Sequence, residues 1–300
     1  MSRCPCKMWL VPVSQVSKWK AICRGPTMNF QVGCNCWEDY STSQLLKSRA
    51  NLLGVGVHAL KGCPHANELL HAGLRSGKKG YVCVTGVHGV MEAQRDPEFK
   101  KILNRALLVV PDGMPTVWVG KLQGHSEMCR VFGPDLMLEV CRSSVSTGAT
   151  HFLFGGKPGI AEQLRDNLGR WFPGIRVLGT FTPPFRPLHP EEWRQLERTV
   201  DRAGPDILWV GLSTPKQEHF MAEYINRLNC KLMIGVGAAF DMHTGQIKDA
   251  PKWMKNSGLQ WANRMWQEPS RLCKRYLLNN SSFLYHLTRQ LLGAGRYDLS

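Results

Sequence analysis

The sequence predicts an α/β domain: a mostly parallel sheet with helices on both faces. Three observations carry this. Five times an apolar, strand-like run ends in a short Gly- or Pro-marked loop and a helix-like stretch follows, most clearly in HFLFGGKPGIAEQL (151–164) and ILWVGLSTPKQEHFMAEY (207–224). The links between these pieces are short, as in layered α/β folds. Strands such as ILWVGL lack the alternation of a half-exposed strand, as expected when both faces are covered.

Taken in order, residues 1–50 show no sustained period and mix Cys, Trp and polar residues. They read as an extension of unassigned role ahead of an α/β body over 51–245 and a helical appendage over 246–300. NLLGVGVHAL reads as a strand or a short helix, PHANELLHAGLRSG as a helix ending at Gly77, and GYVCVTG (80–86) as a strand. HGVMEAQRDPEFKKILNRA is helical with a boundary before Pro97, whose ring disfavours helical backbone in the preceding residue. ALLVVPDG (106–113) is a strand running into a tight turn, and MPTVWVGKLQG is a helix. GPDLMLEVCRSS is a helix opened by Pro134 and Asp135, which suit a first turn. Then come strand 151–154, helix 158–171, strand 175–180, helix 190–203, strand 206–211, helix 215–228 and strand 231–236.

Lys and Arg number 38 against 23 Asp and Glu, a net charge of +15. That excess calls for an anionic partner: nucleic acid, an anionic lipid surface or a phosphorylated substrate. No recognised nucleic-acid motif is present, and no G-x-G-x-x-G follows the first strand, which argues against a nucleic-acid binder and a dinucleotide oxidoreductase. No apolar run reaches the roughly 18 to 20 residues that cross a bilayer. MWLVPV (8–13) lacks the features of a signal segment, so the chain reads as cytoplasmic. Six of the eleven cysteines are scattered through strand- and helix-like segments, as reduced thiols are. The other five, Cys4, Cys6, Cys23, Cys34 and Cys36, include two C-x-C pairs. These could bind zinc, but the usual C-x-x-C spacing is missing and a loosely ordered extension is the favoured reading.

A strand that feeds a glycine loop and then a helix start makes a phosphate cradle, because free N–H groups and the positive helix end point at the anion. Gly155, Gly156, Lys157 and Gly159 form one such loop, which serves equally as a tight turn. Ser213, Thr214, Lys216 and Gln217 form the second. Lys216 and Gln217 could clamp a diphosphate and read a base or ribose, while Thr214 reads as a helix N-cap and Pro215 as the first helical residue. Asp241, after GVGAAF, is a carboxylate on the same edge, able to bind a hydroxyl or cap a turn. Asp112 in VVPDGMP is held at the sheet's edge, where a carboxylate could act as general base on an acceptor hydroxyl. Pro-Asp-Gly is also an ordinary turn, and the local sequence by itself favours that. Thr85 ends the strand YVCVT, where its hydroxyl could position a sugar or phosphate oxygen. No D-x-D occurs in the chain. With so many cations, Lys and Arg would neutralise a leaving diphosphate.

After residue 246, nine basic residues face three acidic ones, interleaved with Trp253, Trp261, Trp266 and Tyr276. Phe283, Leu287 and Leu291 lie four apart, on one helical face. A basic helix with such a face suits a membrane interface, and equally a helix packed on the core.

The stretch from about 51 to 292 resembles the WecG/TagA/CpsF glycosyltransferases, through VTGVHGVMEAQRDPEF, LLVVPDGMPTVW, GPDLMLEVC, FLFGGKPGIAEQL, PDILWVGLSTPKQEHFM, IGVGAAFDMHTGQIKDAP and GLQWANRMWQEPSRLCKRYL. The resemblance implies a Rossmann-like domain with a carboxyl-terminal appendage. It implies inverting, metal-independent transfer of a sugar from a UDP-sugar, with no cofactor, to a polyprenyl-diphosphate-linked acceptor at the inner face of the membrane. Self-association is a feature of the family. The family's base falls on Asp112, its strand-end threonine on Thr85 and its nucleotide-side glutamine on Gln217. The appendage arginines fall on Arg264, Arg271 and Arg275. Two positions depart from the pattern: Val87, followed by His88, replaces a common Asn, and Asp249 replaces a common Arg. The first leaves the donor open between an N-acetylmannosamine type and another hexose such as glucose.

Overall fold

The computed structural model describes residues 48–299, and the side chains of Lys252, Asn256 and Arg271 lie outside that description. So do MWLVPV and the five amino-terminal cysteines with the zinc reading attached to them. NLLGVGVHAL, ambiguous in sequence, is a hairpin: β1 (Arg49–Leu52) pairs antiparallel with β2 (Val55–His58). Leu53 and Gly54 both take positive φ, 55° and 84°, which gives a two-residue turn whose twist matches that of the strands. Asn51 Oδ1 accepts the Gly54 N–H at 2.7 Å and braces it.

Helix α1 (Cys63–Arg75) leads into β3 (Gly80–Thr85). The next helical stretch splits at Pro97 into α2 (Val87–Arg95) and α3 (Pro97–Arg105). Asp96 caps α3, its Oδ1 accepting from the Glu98 and Phe99 N–H groups at 2.9 and 3.2 Å. Then come β4 (Leu108–Pro111), α4 (Met114–Leu122), α5 (Gly133–Thr147), β5 (Thr150–Gly155), α6 (Ile160–Trp171), β6 (Arg176–Phe181), α7 (Pro190–Ala203), β7 (Ile207–Gly211), α8 (Lys216–Tyr224), β8 (Leu232–Gly235) and α9 (Ala239–His243).

Strands β3 to β8 form one wholly parallel sheet in the order β4-β3-β8-β7-β5-β6. The architecture is the α/β, Rossmann-like one. Successive side chains enter opposite layers: Cys83, Leu208, Val210 and Met233 join the core with α2, α3, α7 and α8. Val82, Ile207, Trp209 and Ile234 join the core with α1, α5 and α6. Both faces of the inner strands are dry, which is why β5, β7 and β8 read as near-continuous apolar runs, whereas the edge strand β6 is partly exposed.

The topology fixes where a ligand would sit. After β5 the chain runs outward through α6 to β6, and after β7 it runs inward through α8 to β8. The carboxyl ends of β5 and β7 thus border the crevice where open α/β sheets take ligands. The two backbones nearly touch there. A Cβ on Gly155 (φ 124°) would lie 2.6 to 2.9 Å from the backbone of Gly211, and Gly156 N–H donates to Gly211 O at 3.1 Å.

The chain ends in α10 (Lys252–Asn256), α11 (Gln260–Gln267) and α12 (Pro269–Leu291). Helix α12 packs against α2 and buries Leu272, Asn279 and Phe283. The single face expected of Phe283, Leu287 and Leu291 is corrected. Phe283 and Leu287 pack into the core, whereas Leu291 is 59% exposed. A step of four residues turns a side chain on by about 40°, so the third residue has rotated off the face. Among the described residues no helix is long and apolar enough to cross a membrane.

Candidate active site

The turn after β4 presents Asp112 beside the end of β3. The Asp112 N–H donates to Thr85 O at 3.0 Å, and a Cβ on Gly86 would lie 2.5 Å from Asp112 O. Only glycine allows that approach. Thr116 Oγ1 donates to Gly113 O at 2.8 Å and closes the turn from α4. The Asp112 carboxylate remains one-third exposed. Arg130, in the link between α4 and α5, sits 3.7 Å away, an ion pair too long for a direct hydrogen bond. Arg130 stacks on Phe132, 4.5 Å from the ring centre, and donates to Gln260 of α11. Desolvation raises the Asp112 pKa above the ordinary carboxylate value, and Asp135 adds to it. The charges of Arg130 and Arg264 oppose but do not cancel the shift.

The appendage therefore reaches this carboxylate. Arg264 is largely buried, contributes charge at Asp112 and pairs with Glu268 at 2.8 Å. Lys255 of α10 pairs with Asp249 and lies 3.8 Å from Asp135 of α5. Gln260 Nε2 donates to Asp249 Oδ1 at 3.3 Å. Asp249, the departure from the family pattern, thus holds the α10–α11 corner.

His88, which follows the other departure at Val87, faces the tail. Asn279 Nδ2 donates to His88 Nδ1 at 3.0 Å, while Asn279 Oδ1 accepts from Arg95 Nη2 at 2.6 Å. His88 also donates to the Thr214 carbonyl. Burial lowers its pKa, and the charge of Arg275 lowers it further. Arg275 accordingly stands at the amino end of α2.

The second loop differs from its sequence reading. The residue flanking α8 is Pro215 and not Thr214. The Thr214 hydroxyl instead donates to Glu218 Oε1 at 2.9 Å, one turn on, and no side chain caps the helix N–H groups. Gln217 is 3% exposed; its Oε1 accepts from Gly237 N–H at 3.0 Å and its Nε2 donates to Glu218. Lys216 is exposed, its ammonium 5.0 Å from the Phe185 ring centre. Gly155 and Gly156 border the crevice, and Lys157 is exposed beside them. Asp241 lies in the first turn of α9. The side chain of Arg271 is outside the described residues.

Eight buried polar side-chain atoms make no hydrogen bond among the described residues, and seven belong to residues spread along the sheet's carboxyl edge or on the segments that pack there. They are Thr85 Oγ1, Glu162 Oε2, Glu218 Oε2, Asp241 Oδ1 and the Nε atoms of Arg130, Arg264 and Arg275. The eighth, His151 Nε2, lies in the core. Buried groups of this kind are ordinarily satisfied by protein, ordered water or a ligand, so these atoms offer polar partners along the edge. Sequence reasoning missed Arg130, Glu218, Asn279 and Gln260. Arg130 stands in a link without period, and Asn279 is a polar residue among polar neighbours. For Glu218 a signal existed: it follows Gln217 directly and stands just before the apolar Phe220, Met221 and Ala222.

The family model described as the Glycosyl transferase WecG/TagA/CpsF family matches residues 50–297 of the chain.

Proposed function

The chain belongs to the WecG/TagA/CpsF glycosyltransferase family, and from that premise we propose that it moves a hexose from a UDP-sugar to a polyprenyl-diphosphate-linked acceptor with inversion. The observation that carries the proposal is Asp112, a carboxylate at the sheet's carboxyl edge, still open to solvent, with a raised pKa and guanidinium groups around it.

Asp112 takes the proton of the acceptor hydroxyl. The freed oxygen bonds to the anomeric carbon from the face opposite the diphosphate, the bond from that carbon to the diphosphate oxygen breaks, and UDP leaves with its electron pair. A base whose pKa has moved towards neutrality accepts the proton more readily in the transition state. Negative charge grows on the departing diphosphate, and Arg264 and Arg275 stabilise it, with Arg130 beside the base. Cationic side chains fill the role a divalent ion fills in other transferases. The basic, aromatic surface of the appendage brings the enzyme to anionic lipid, where such an acceptor is found. The donor is an N-acetylmannosamine-type sugar or another hexose such as glucose.

A panel of UDP-sugars offered with a short-chain prenyl-diphosphate-sugar acceptor, with released UDP measured, tests the reaction and names the donor. In the same assay Asp112→Asn is expected to abolish turnover while UDP binding persists. Near-parental turnover in that variant would remove Asp112 as the base.

A further inference from the structure

Glu218 opens α8 beneath the loop-bearing edge and is 1% exposed. Its Oε1 accepts from Gln217 Nε2 at 3.0 Å and from Thr214 Oγ1 at 2.9 Å. Gln217 in turn holds the Gly237 N–H at 3.0 Å. One carboxyl thereby ties the β7–α8 loop to the β8–α9 loop. Thr214 extends the tie to the turn after β3: a Cβ on Gly89 would lie 2.9 Å from the Thr85 methyl and 3.9 Å from that of Thr214. Glu218 Oε2 and Thr85 Oγ1 both lack a partner among the described residues.

We propose that Glu218 is a positioning residue that carries a proton, and that its neutrality is what allows an anionic diphosphate to settle on the three loops it ties together. The inference rests on the donor reading above. A neutral acid still accepts from Gln217 and Thr214 through Oε1 and carries its proton on Oε2. An ionised carboxylate at the same place would set a negative charge beneath the diphosphate in a medium that screens poorly.

Among the described residues no Lys or Arg is among the causes that shift the Glu218 pKa. The titratable groups linked to this cluster are Cys83 of β3, His88 of α2 through the Thr214 backbone, and Lys216 and His219 on α8 itself. Lys216 lies towards Phe185, His219 faces Asp96 at 3.8 Å, and Arg275 acts on His88. Burial pushes the Glu218 pKa up, against the opposing pull of the bonds from Gln217 and Thr214. Reciprocity then requires the diphosphate to tighten the hold on this proton, so donor affinity declines as Glu218 ionises.

Two measurements on the full chain decide it. The infrared difference spectrum of wild type minus Glu218→Gln, without ligand, is expected to show a protonated carboxyl band that persists above the ordinary carboxylate range and fades as pH rises further. Calorimetric titration with UDP is expected to show wild-type affinity falling by up to about tenfold per pH unit above the Glu218 pKa, with Glu218→Gln flat over that range. Glu218→Ala loses affinity at every pH and Glu218→Gln restores it, which separates positioning from bulk stability. Cys83→Ala removes the other nearby group that ionises at high pH and keeps the wild-type profile. A missing band, or parallel decline in wild type and Glu218→Gln, overturns the proposal. If the band is present but UDP binds neither protein, the donor reading falls and with it the role given to the proton.

Discussion

The Asp112–Arg130 pair makes pH the informative variable at the scale of single residues. A base must be ionised to work, so kcat/KM is expected to fall as pH drops through the raised Asp112 pKa, an acid limb above the ordinary carboxylate range. Arg130 opposes that rise. Arg130→Met should therefore move the limb to higher pH, which a kcat/KM profile of the two proteins would read. Stability runs the opposite way with pH. A carboxyl whose folded pKa is raised stabilises the fold while it is protonated and stops doing so as pH climbs through that value. Asp112→Asn should thus melt higher than wild type at neutral pH, with the difference vanishing in acid. The position of Asp112 at the sheet's edge was legible, because a Pro-Asp-Gly turn closes an apolar run, but its local sequence favoured an ordinary turn and only the family resemblance pointed to a base. Arg130 was not: nothing local marks it, and its meaning comes from a carboxylate that the fold brings beside it.

Among elements, β-α-β alternation was read almost entirely from sequence, since dry strands announce themselves as apolar runs and Pro97 with Asp96 marks its own break. Order within the sheet was not legible, because β8 lies between β3 and β7 through pairings remote in sequence. Docking of α12 was hidden for a related reason. A buried asparagine contributes nothing to a hydrophobic period, yet Asn279 is shared by His88 and Arg95. Asn279→Leu leaves Arg95 and His88 without that partner and should cost about 1 to 3 kcal/mol. Thermal melts would read the loss, and turnover should fall further than stability, because Arg275 rides on the same helix. Equal turnover in the variant would show that the helix serves only as packing.

Across the whole molecule, the +15 charge and the exposed Trp253, Trp266, Leu277 and Leu278 bear on one surface question. Vesicles containing anionic lipid should retain the protein at low salt and release it as ionic strength passes about 0.15 M, where screening acts within roughly 8 Å. Retention that ignores salt would assign the contact to apolar insertion alone. Charge was countable in the sequence, but its focus was not, since Arg264 comes to Asp112 only once α11 folds back over the rim.

The glycine seam between β5 and β7 has its own consequence. With no lateral space between Gly155 and Gly211, a variant library aimed at changing sugar preference has nothing to work with at those two codons. Even Gly155→Ala should cost about 2 kcal/mol or more by thermal melt. Altered selectivity would have to be sought in loop length or in the walls opposite, while the seam itself stays bare.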